Sequence, residues 1–146
     1  MGLFDAIDSS GSGLQAERLR MDVTSENLAN AQTTKGADGQ PYRRKEVVLQ
    51  EAGAAGTTFA SILAGKTASP THGVKVAGIV EDGTALKRIY DPGHPDADKD
   101  GYVTMPNVNT VTEMTDLISA SRAYEANVTA MQTAKTMFTK TLDLLR

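Results

Sequence analysis

The feature that most constrains this chain is a long C-terminal segment, Thr110 to Arg146, that contains neither glycine nor proline. Large apolar side chains recur in it every seven residues: Leu117, Tyr124, Met131, Phe138 and Leu145. A column with this period is typical of a helix that keeps one face toward a long partner. At 1.5 Å per residue such a helix is about 54 Å long. Because a helix of that length is not stable in water with its apolar stripe uncovered, the pattern predicts a covering helix.

A second column on the same segment is weaker. Met114, Val128 and Leu142 occupy it, and Ser121 and Lys135 interrupt it, which indicates specific pairing at some cost in stability. The letters TVTE from Thr110 to Glu113 predict a capping box, in which the threonine hydroxyl and the glutamate carboxylate satisfy free backbone amides.

The N-terminal segment, Gly2 to Ala31, also has a helical pattern. Its apolar column is Ile7, Leu14, Met21 and Leu28, again spaced by seven. Gly11 and Gly13 each cost about 1 kcal/mol relative to alanine in a helix, so this helix is predicted to be marginal alone. The two terminal helices are therefore expected to pair with each other.

Most of the glycine and proline lies between the two helical segments. Short strands are predicted at Lys45 to Gln50, Gly73 to Asp82 and Ala85 to Asp91. The letters EDGTA predict a hairpin turn between the last two strands, and Gly53 to Pro70 is predicted to be mostly loop. The expected fold is α+β, with N- and C-terminal helices in an antiparallel coiled-coil hairpin. The expected segments are 1–35 (helix and signature), 36–106 (β-containing insert) and 107–146 (C-terminal helix).

Composition excludes several classes of function. A formal charge of −3 and a pI near 5.3 argue against non-specific binding to nucleic acid, which needs a dense basic surface. The absence of cysteine excludes disulfides and thiolate chemistry. Neither a secretory leader nor an apolar run long enough to span a bilayer is expected.

One stretch resembles a calcium loop. Asp96, Asp98, Asp100 and Gly101 stand at positions 1, 3, 5 and 6 of an EF-hand pattern, but position 12 is Asn107 in place of glutamate. Pro92 and Pro95 interrupt the helix that should enter the loop. A solvated turn that feeds the C-terminal helix is therefore preferred, and a small calcium-binding module is kept as the alternative.

No other motif predicts chemistry. Ala60 to Thr67 is a relaxed phosphate-loop match, but no buried strand precedes it and Pro70 interrupts the helix that should follow. His72 and His94 have no partner at metal or triad spacing. The chain is accordingly not expected to be an enzyme or to hold a cofactor or a metal.

Three stretches resemble the axial proteins of the bacterial flagellar rod and hook. Ser25 to Thr34 reads SENLANAQTT and is similar to the signature of that family. Tyr90 to Met114 and Ser121 to Met137 resemble the proximal-rod members of the family. The matching positions are Asn27, Leu28, Ala29, Asn30, Thr33, Arg122, Tyr124, Glu125 and Asn127. Of these, Asn30 is expected to end the first helix in a left-handed conformation.

The resemblance implies a structural role in the basal body. It implies that copies assemble head to tail into the proximal rod, which transmits torque through the periplasm, and that neighbouring rod and axial proteins are the partners. It also implies export through the flagellar type III apparatus without a cleaved signal peptide. The two columns would then form the helix and assembly interfaces, with termini that become ordered on incorporation.

Overall fold

The computed structural model describes residues 3–36, 38–52 and 73–144. Its elements run α1 (Leu3–Ala29), β1 (Lys45–Glu51), β2 (Val74–Glu81), β3 (Lys87–Tyr90), β4 (Tyr102–Met105) and α2 (Thr110–Leu144). Two helices with two small antiparallel sheets make an α+β fold, which confirms the predicted class. The predicted loop Gly53 to Pro70, the phosphate-loop match within it, and His72 lie outside the described residues.

The two helices pack side by side and run in opposite directions. Near the start of α1, a Cβ atom placed on Gly11 would lie 3.8 Å from Cε of Met131. Near its end, Asn27 bonds to Glu113 at the start of α2. Among the described helices, neither is long and apolar enough to cross a membrane.

The contact between the helices is lined by small side chains. Ala16 and Ala120 are buried there, and a Cβ atom on Gly13 would lie 3.0 Å from Nδ2 of Asn127, which is tighter than ordinary contact. The glycines therefore serve close packing of two helices, a benefit that opposes their low helix propensity. Helix α1 runs through both glycines in spite of that propensity.

The first hairpin lies along α1. Strand β1 pairs with β2 from Lys45↔Glu81 to Glu51↔Val74, with a bulge between Val48 and Leu49. One end of this hairpin meets the end of α1, where the Lys45 amide donates to Oδ1 of Asn27. The other end meets the first half of α1, where the Val74 amide donates to Oγ of Ser12 over 3.1 Å.

The second hairpin, formed by β3 and β4, shows that the predicted strand pairing is wrong. Strand β3 pairs with β4, a strand that the sequence did not predict, and not with β2 across EDGTA. In the link after β2 the Asp82 carboxylate accepts the Thr84 amide, a bond that lowers the pKa of Asp82. Gly101, at a φ of 77°, closes the loop between β3 and β4 in a conformation that favours glycine.

Both inner helix ends differ from their predicted caps. Asn109 directly precedes α2, and its Oδ1 accepts the Val111 amide, so Asn109 is the N-cap and the predicted capping box at Thr110 and Glu113 is wrong. Asn30 does not adopt the left-handed conformation, because no described residue other than glycine has a positive φ. It instead donates from Nδ2 to the Glu26 carbonyl oxygen over 2.9 Å.

Candidate functional site: where the helix pair meets the first hairpin

Asn27 lies at the point where α1, α2 and β1 meet. Its Nδ2 donates to the Lys45 carbonyl oxygen (2.8 Å) and to Oε2 of Glu113 (3.0 Å). Its Oδ1 accepts the Lys45 amide (2.9 Å) and the Tyr42 hydroxyl (2.9 Å). The side chain is 1% exposed, and these four bonds use the amide's two donors and two acceptor sites.

Glu113 faces Asn27 from the first turn of α2. It is also 1% exposed, and its Oε1 accepts Nε of Arg44 at 2.6 Å. This hydrogen bond raises the pKa of Arg44, whose side chain also approaches Asp116 at 3.5 Å. A buried carboxylate needs such a partner, because an unpaired charge in the protein interior is costly.

Tyr42 completes this group. Burial, followed by the charges of Glu26, Glu113 and Glu81, raises the pKa of the Tyr42 phenol to about 12. The phenol is thus held in its neutral form, in which it can donate to Asn27. We refer to Asn27, Tyr42, Arg44 and Glu113 as the Asn27–Glu113 cluster.

Asn107 makes a second connection beside the cluster. Its Oδ1 accepts the Arg44 amide (2.8 Å), and its Nδ2 donates to the Asp82 carbonyl oxygen (3.3 Å) and to Oγ1 of Thr84 (2.9 Å). It therefore ties the start of the first hairpin to the link that leaves it.

The cluster is suited to mechanical connection. It bonds residues far apart in sequence, Asn27 to Glu113 and Arg44 to Glu113, and so joins both helices to the first hairpin. No buried side-chain nitrogen or oxygen in the described part of the chain lacks a hydrogen-bond partner. A fully satisfied buried network favours one arrangement of the surrounding elements over others.

The predicted column on α1 lies beside the most buried positions. Ile7, Leu14, Met21 and Leu28 are half-buried, whereas Ala16, Val23, Thr24 and Asn27 are buried. On α2, Leu117, Tyr124 and Met131 are half-buried and Phe138 is 41% exposed, while Leu145 lies outside the described residues. Of the predicted second column on α2, Val128 is half-buried, whereas Met114 and Leu142 are 53% and 50% exposed.

The family signature is divided between contact and surface. Asn27 belongs to the cluster, Asn30 and Thr33 bond to each other after α1, and Asn127 packs against Gly13. Leu28 and Tyr124 are half-buried, and three of the positions are exposed: Ala29, Arg122 and Glu125.

The stretch that resembles a calcium loop is the connection between β3 and β4. Oδ2 of Asp96 accepts the Thr34 hydroxyl (2.7 Å), and the Asp98 amide donates to the Tyr102 carbonyl oxygen (2.8 Å). Asn107, at the position of the expected bidentate ligand, makes the contacts beside the cluster. Within residues 3–36, 38–52 and 73–144, no three acidic or histidine side chains are grouped as a metal site.

Sequence reasoning missed the partners of Asn27. Tyr42 and Arg44 belong to the short basic stretch YRRKE, Tyr42 to Glu46, which contains no motif, and Glu113 fits a local capping pattern. The one usable signal is the basic run Arg43 to Lys45 at the start of the first strand, which calls for acidic partners, but Glu113 lies 69 residues away in sequence and nothing local points to it.

Comparisons with known proteins find matches to both terminal segments and to nearly the whole chain. Residues 7–37 match the family model for the flagella basal body rod protein, and residues 99–144 match the model for the C-terminal part of flagellar basal body rod FlgEFG proteins. The chain is 45% identical to the flagellar basal-body rod protein FlgC of Salmonella typhimurium over 99% of this chain and 98% of that one. It is 46% identical to FlgC of Bacillus subtilis over 99% of each chain, and 45% identical to FlgC of Borreliella burgdorferi over 100% of this chain and 99% of the relative. The chain belongs to the FlgC family of flagellar basal-body rod proteins.

Proposed function

We propose that this chain is a structural subunit of the flagellar rod whose copies assemble head to tail in its proximal part. The observation that carries the proposal is similarity to FlgC proteins along almost the whole chain. Repeated heterologous contacts that do not close into a ring build a helical array, which is the form a shaft requires.

The paired helices are the proposed axial part of the subunit. They run antiparallel over much of α1, which supports a coiled-coil hairpin formed by segments 1–35 and 107–146. The apolar columns, Ile7 to Leu28 and Leu117 to Leu145, are the proposed helix and assembly interfaces. Segment 36–106 is the proposed outer part, and the signature residues named above are proposed to serve the same assembly.

The Asn27–Glu113 cluster gives the subunit a rigid joint. A rod that transmits torque must pass force between its inner helices and its outer segment without a change in their relative position. The charge-assisted bond between Arg44 and Glu113 and the saturated amide of Asn27 oppose such movement.

The proposed location is the periplasmic part of the basal body. Neighbouring rod and axial proteins and the type III export apparatus are the proposed partners, and no cleaved signal peptide is invoked. The chain contains no cysteine, so no disulfide opposes passage in an unfolded form. We also propose that the helix ends become fully ordered on incorporation, which circular dichroism of the monomer and of isolated rods would compare.

An enzymatic role is not proposed, because the relatives are named as rod proteins and the buried polar groups of the cluster bind one another. No specific observation favours the calcium-binding alternative.

Mass spectrometry of basal bodies purified from the source bacterium tests the proposal. We expect the chain in the salt-washed basal bodies, and we expect deletion of its gene to abolish rod assembly and motility. Recovery only from the soluble fraction, with motility intact in the deletion strain, would contradict the rod assignment.

A further inference from the structure

The second hairpin leaves one edge of its sheet open. The Asp91 amide donates to the Gly101 carbonyl oxygen (2.9 Å), which continues the register of β3 and β4 by one pair. Hydrogen-bonded pairs alternate with non-hydrogen-bonded pairs along an antiparallel ladder. Arg88 and Tyr90 therefore direct their main-chain amide and carbonyl groups away from β4, and no described group forms a hydrogen bond with them.

The opposite edge of the same sheet is already in use. On β4, the Tyr102 carbonyl oxygen accepts the Asp98 amide (2.8 Å) from the loop between the two strands. All four residues of β3, Lys87–Tyr90, are exposed, and in the described part of the chain β3 pairs with β4 alone. The open edge of this sheet is thus the outer edge of β3, which we call the β3 edge.

The side chains along the β3 edge form a small group of their own. Arg88 and Tyr90 lie two positions apart on one strand, so their side chains stand on the same face of the sheet. Tyr90 meets Tyr102 edge to face, with ring centroids 5.3 Å apart, and Cζ of Arg88 lies 5.0 Å from the centroid of the Tyr102 ring. Aromatic and arginine side chains are the types that contribute most at protein interfaces.

The Tyr90 ring is held in place although it is 65% exposed. A Cβ atom on Gly101 would lie only 2.9 Å from Cε2 of this ring, so the ring packs directly against the glycine backbone. Gly101 therefore serves both the left-handed turn of the loop and the seat of the ring. An exposed ring that is already ordered loses little conformational freedom when a partner covers it.

The charge of the β3 edge is positive. Lys87 and Arg88 are both exposed, neither has an ion pair among the described residues, and β3 contains no acidic residue. A guanidinium stacked on an aromatic ring keeps its N–H donors available around its rim, where they fit the two oxygens of a carboxylate.

We infer that the β3 edge binds an extended, acidic segment of another protein, which adds to the sheet as a third strand. The main-chain groups of Arg88 and Tyr90 bond to the backbone of the added strand, and its carboxylates meet Arg88 and Lys87. The inference goes beyond the proposed function, because it gives a partner of stated chemistry to a surface outside the helix pair and does not require the rod assignment.

The same features disfavour other occupants. A second copy of β3 would bring the same two cations to the edge, and charges placed on an edge strand oppose such self-pairing. A nucleic acid would satisfy the cations, but it lacks the alternating amide donors and carbonyl acceptors that the main chain of Arg88 and Tyr90 requires. An acidic peptide in extended form meets both conditions.

Titration of the purified full chain with two synthetic peptides, followed by NMR, tests the inference. In one peptide glutamate alternates with valine, and in the other lysine takes the place of glutamate, so the two share a strand-forming pattern and differ in charge. We expect the glutamate peptide to bind about tenfold more tightly than the lysine peptide. It should shift the amide signals of Arg88 and Tyr90 and slow their exchange with deuterated solvent.

Arg88→Glu is expected to reverse the preference between the two peptides. Lys99→Glu is the matched control, because Lys99 is exposed in the loop beyond the strands and the substitution changes the net charge equally; the preference of the wild type should persist in it. Equal affinity for both peptides, loss of the preference in both variants, or unchanged exchange at Arg88 and Tyr90 would overturn the inference. None of these results would affect the rod assignment, which the recovery of the chain from basal bodies tests separately.

Discussion

The hydrogen bonds of Glu113 require both oxygens of its carboxylate. Both of its carboxylate oxygens face donors, Nε of Arg44 and Nδ2 of Asn27. A glutamine keeps the shape of the side chain, but its single oxygen can accept from only one of them, and its own NH₂ then faces the other.

Glu113→Gln is therefore expected to lower the free energy of unfolding by about 2 kcal/mol, the usual cost of a buried unsatisfied polar group. Urea denaturation of the purified chain measures it. Asp116→Asn is the matched control, because Asp116 is 39% exposed and its contact with Arg44, at 3.5 Å, is longer than that of Glu113. We expect this variant to lower the free energy of unfolding by less than about 0.5 kcal/mol. Equal losses of unfolding free energy in the two variants would show that the buried hydrogen bonds of Glu113 stabilise the fold no more than the exposed contact of Asp116 does.

Tyr42 gives the cluster a pH dependence on the alkaline side. Its pKa in the folded chain is about 12, above the ordinary value of 10.0, so folding favours the protonated phenol. The stability it contributes is complete below pH 10 and is lost as the pH rises toward 12.

We expect the difference in 295 nm absorbance between the wild type and Tyr42→Phe to titrate with a midpoint near pH 12. Stability measured from pH 9 to 12 should fall less steeply in the variant. A midpoint near 10 in the difference curve would mean that Tyr42 is not held neutral by its surroundings.

At the scale of elements, the start of α2 rests on Asn109. Its side chain accepts the Val111 amide over 3.1 Å, which satisfies one of the free donors of the first turn. The neighbouring Thr110 is exposed.

Asn109→Ala is expected to cost about 1 kcal/mol in the free energy of unfolding, and Thr110→Ala less than about half of that. Chemical denaturation followed by circular dichroism at 222 nm measures both. A larger loss of stability for Thr110→Ala than for Asn109→Ala would instead support the capping role that the TVTE pattern predicts for Thr110.

Local patterns located the helices well and failed on contacts between elements. The glycine-free run predicted Thr110 to Arg146 against an observed α2 of Thr110–Leu144, and the N-terminal pattern predicted Gly2 to Ala31 against Leu3–Ala29. The pairing of β3 with β4 and the use of Glu113 depend on residues far away in sequence. TVTE is compatible with a cap and with an ion pair to Arg44, and only the fold decides between them.

At the scale of the whole molecule, the described part has a thin apolar core. Its buried hydrophobic residues are few and mostly small: Ala16, Val23, Val103, Val108 and Ala120. The polar contacts around Asn27 and Asn107 consequently carry much of the connection between segments, and the predicted boundary between 36–106 and 107–146 cuts through them.

The isolated segment 36–106 is therefore expected not to fold, because it retains Tyr42 and Arg44 but lacks Asn27, Asn107 and Glu113. Its amide signals in a two-dimensional NMR spectrum should collapse into the narrow range of an unfolded chain, while the full chain shows dispersed signals from β1 and β2. A dispersed spectrum from the fragment would establish the insert as an autonomous domain.

The antiparallel course of α1 and α2 also gives the subunit a direction. Leu3 and Leu144 belong to the same end of the helix pair, whereas the second hairpin, tied through Asp96 to Thr34, belongs to the end where α1 stops and α2 starts. Copies stacked in one orientation, as proposed above, would all present the Leu3 and Leu144 end of the helix pair toward the same end of the rod. A gold label on either terminus would then report the polarity of the shaft in an electron micrograph.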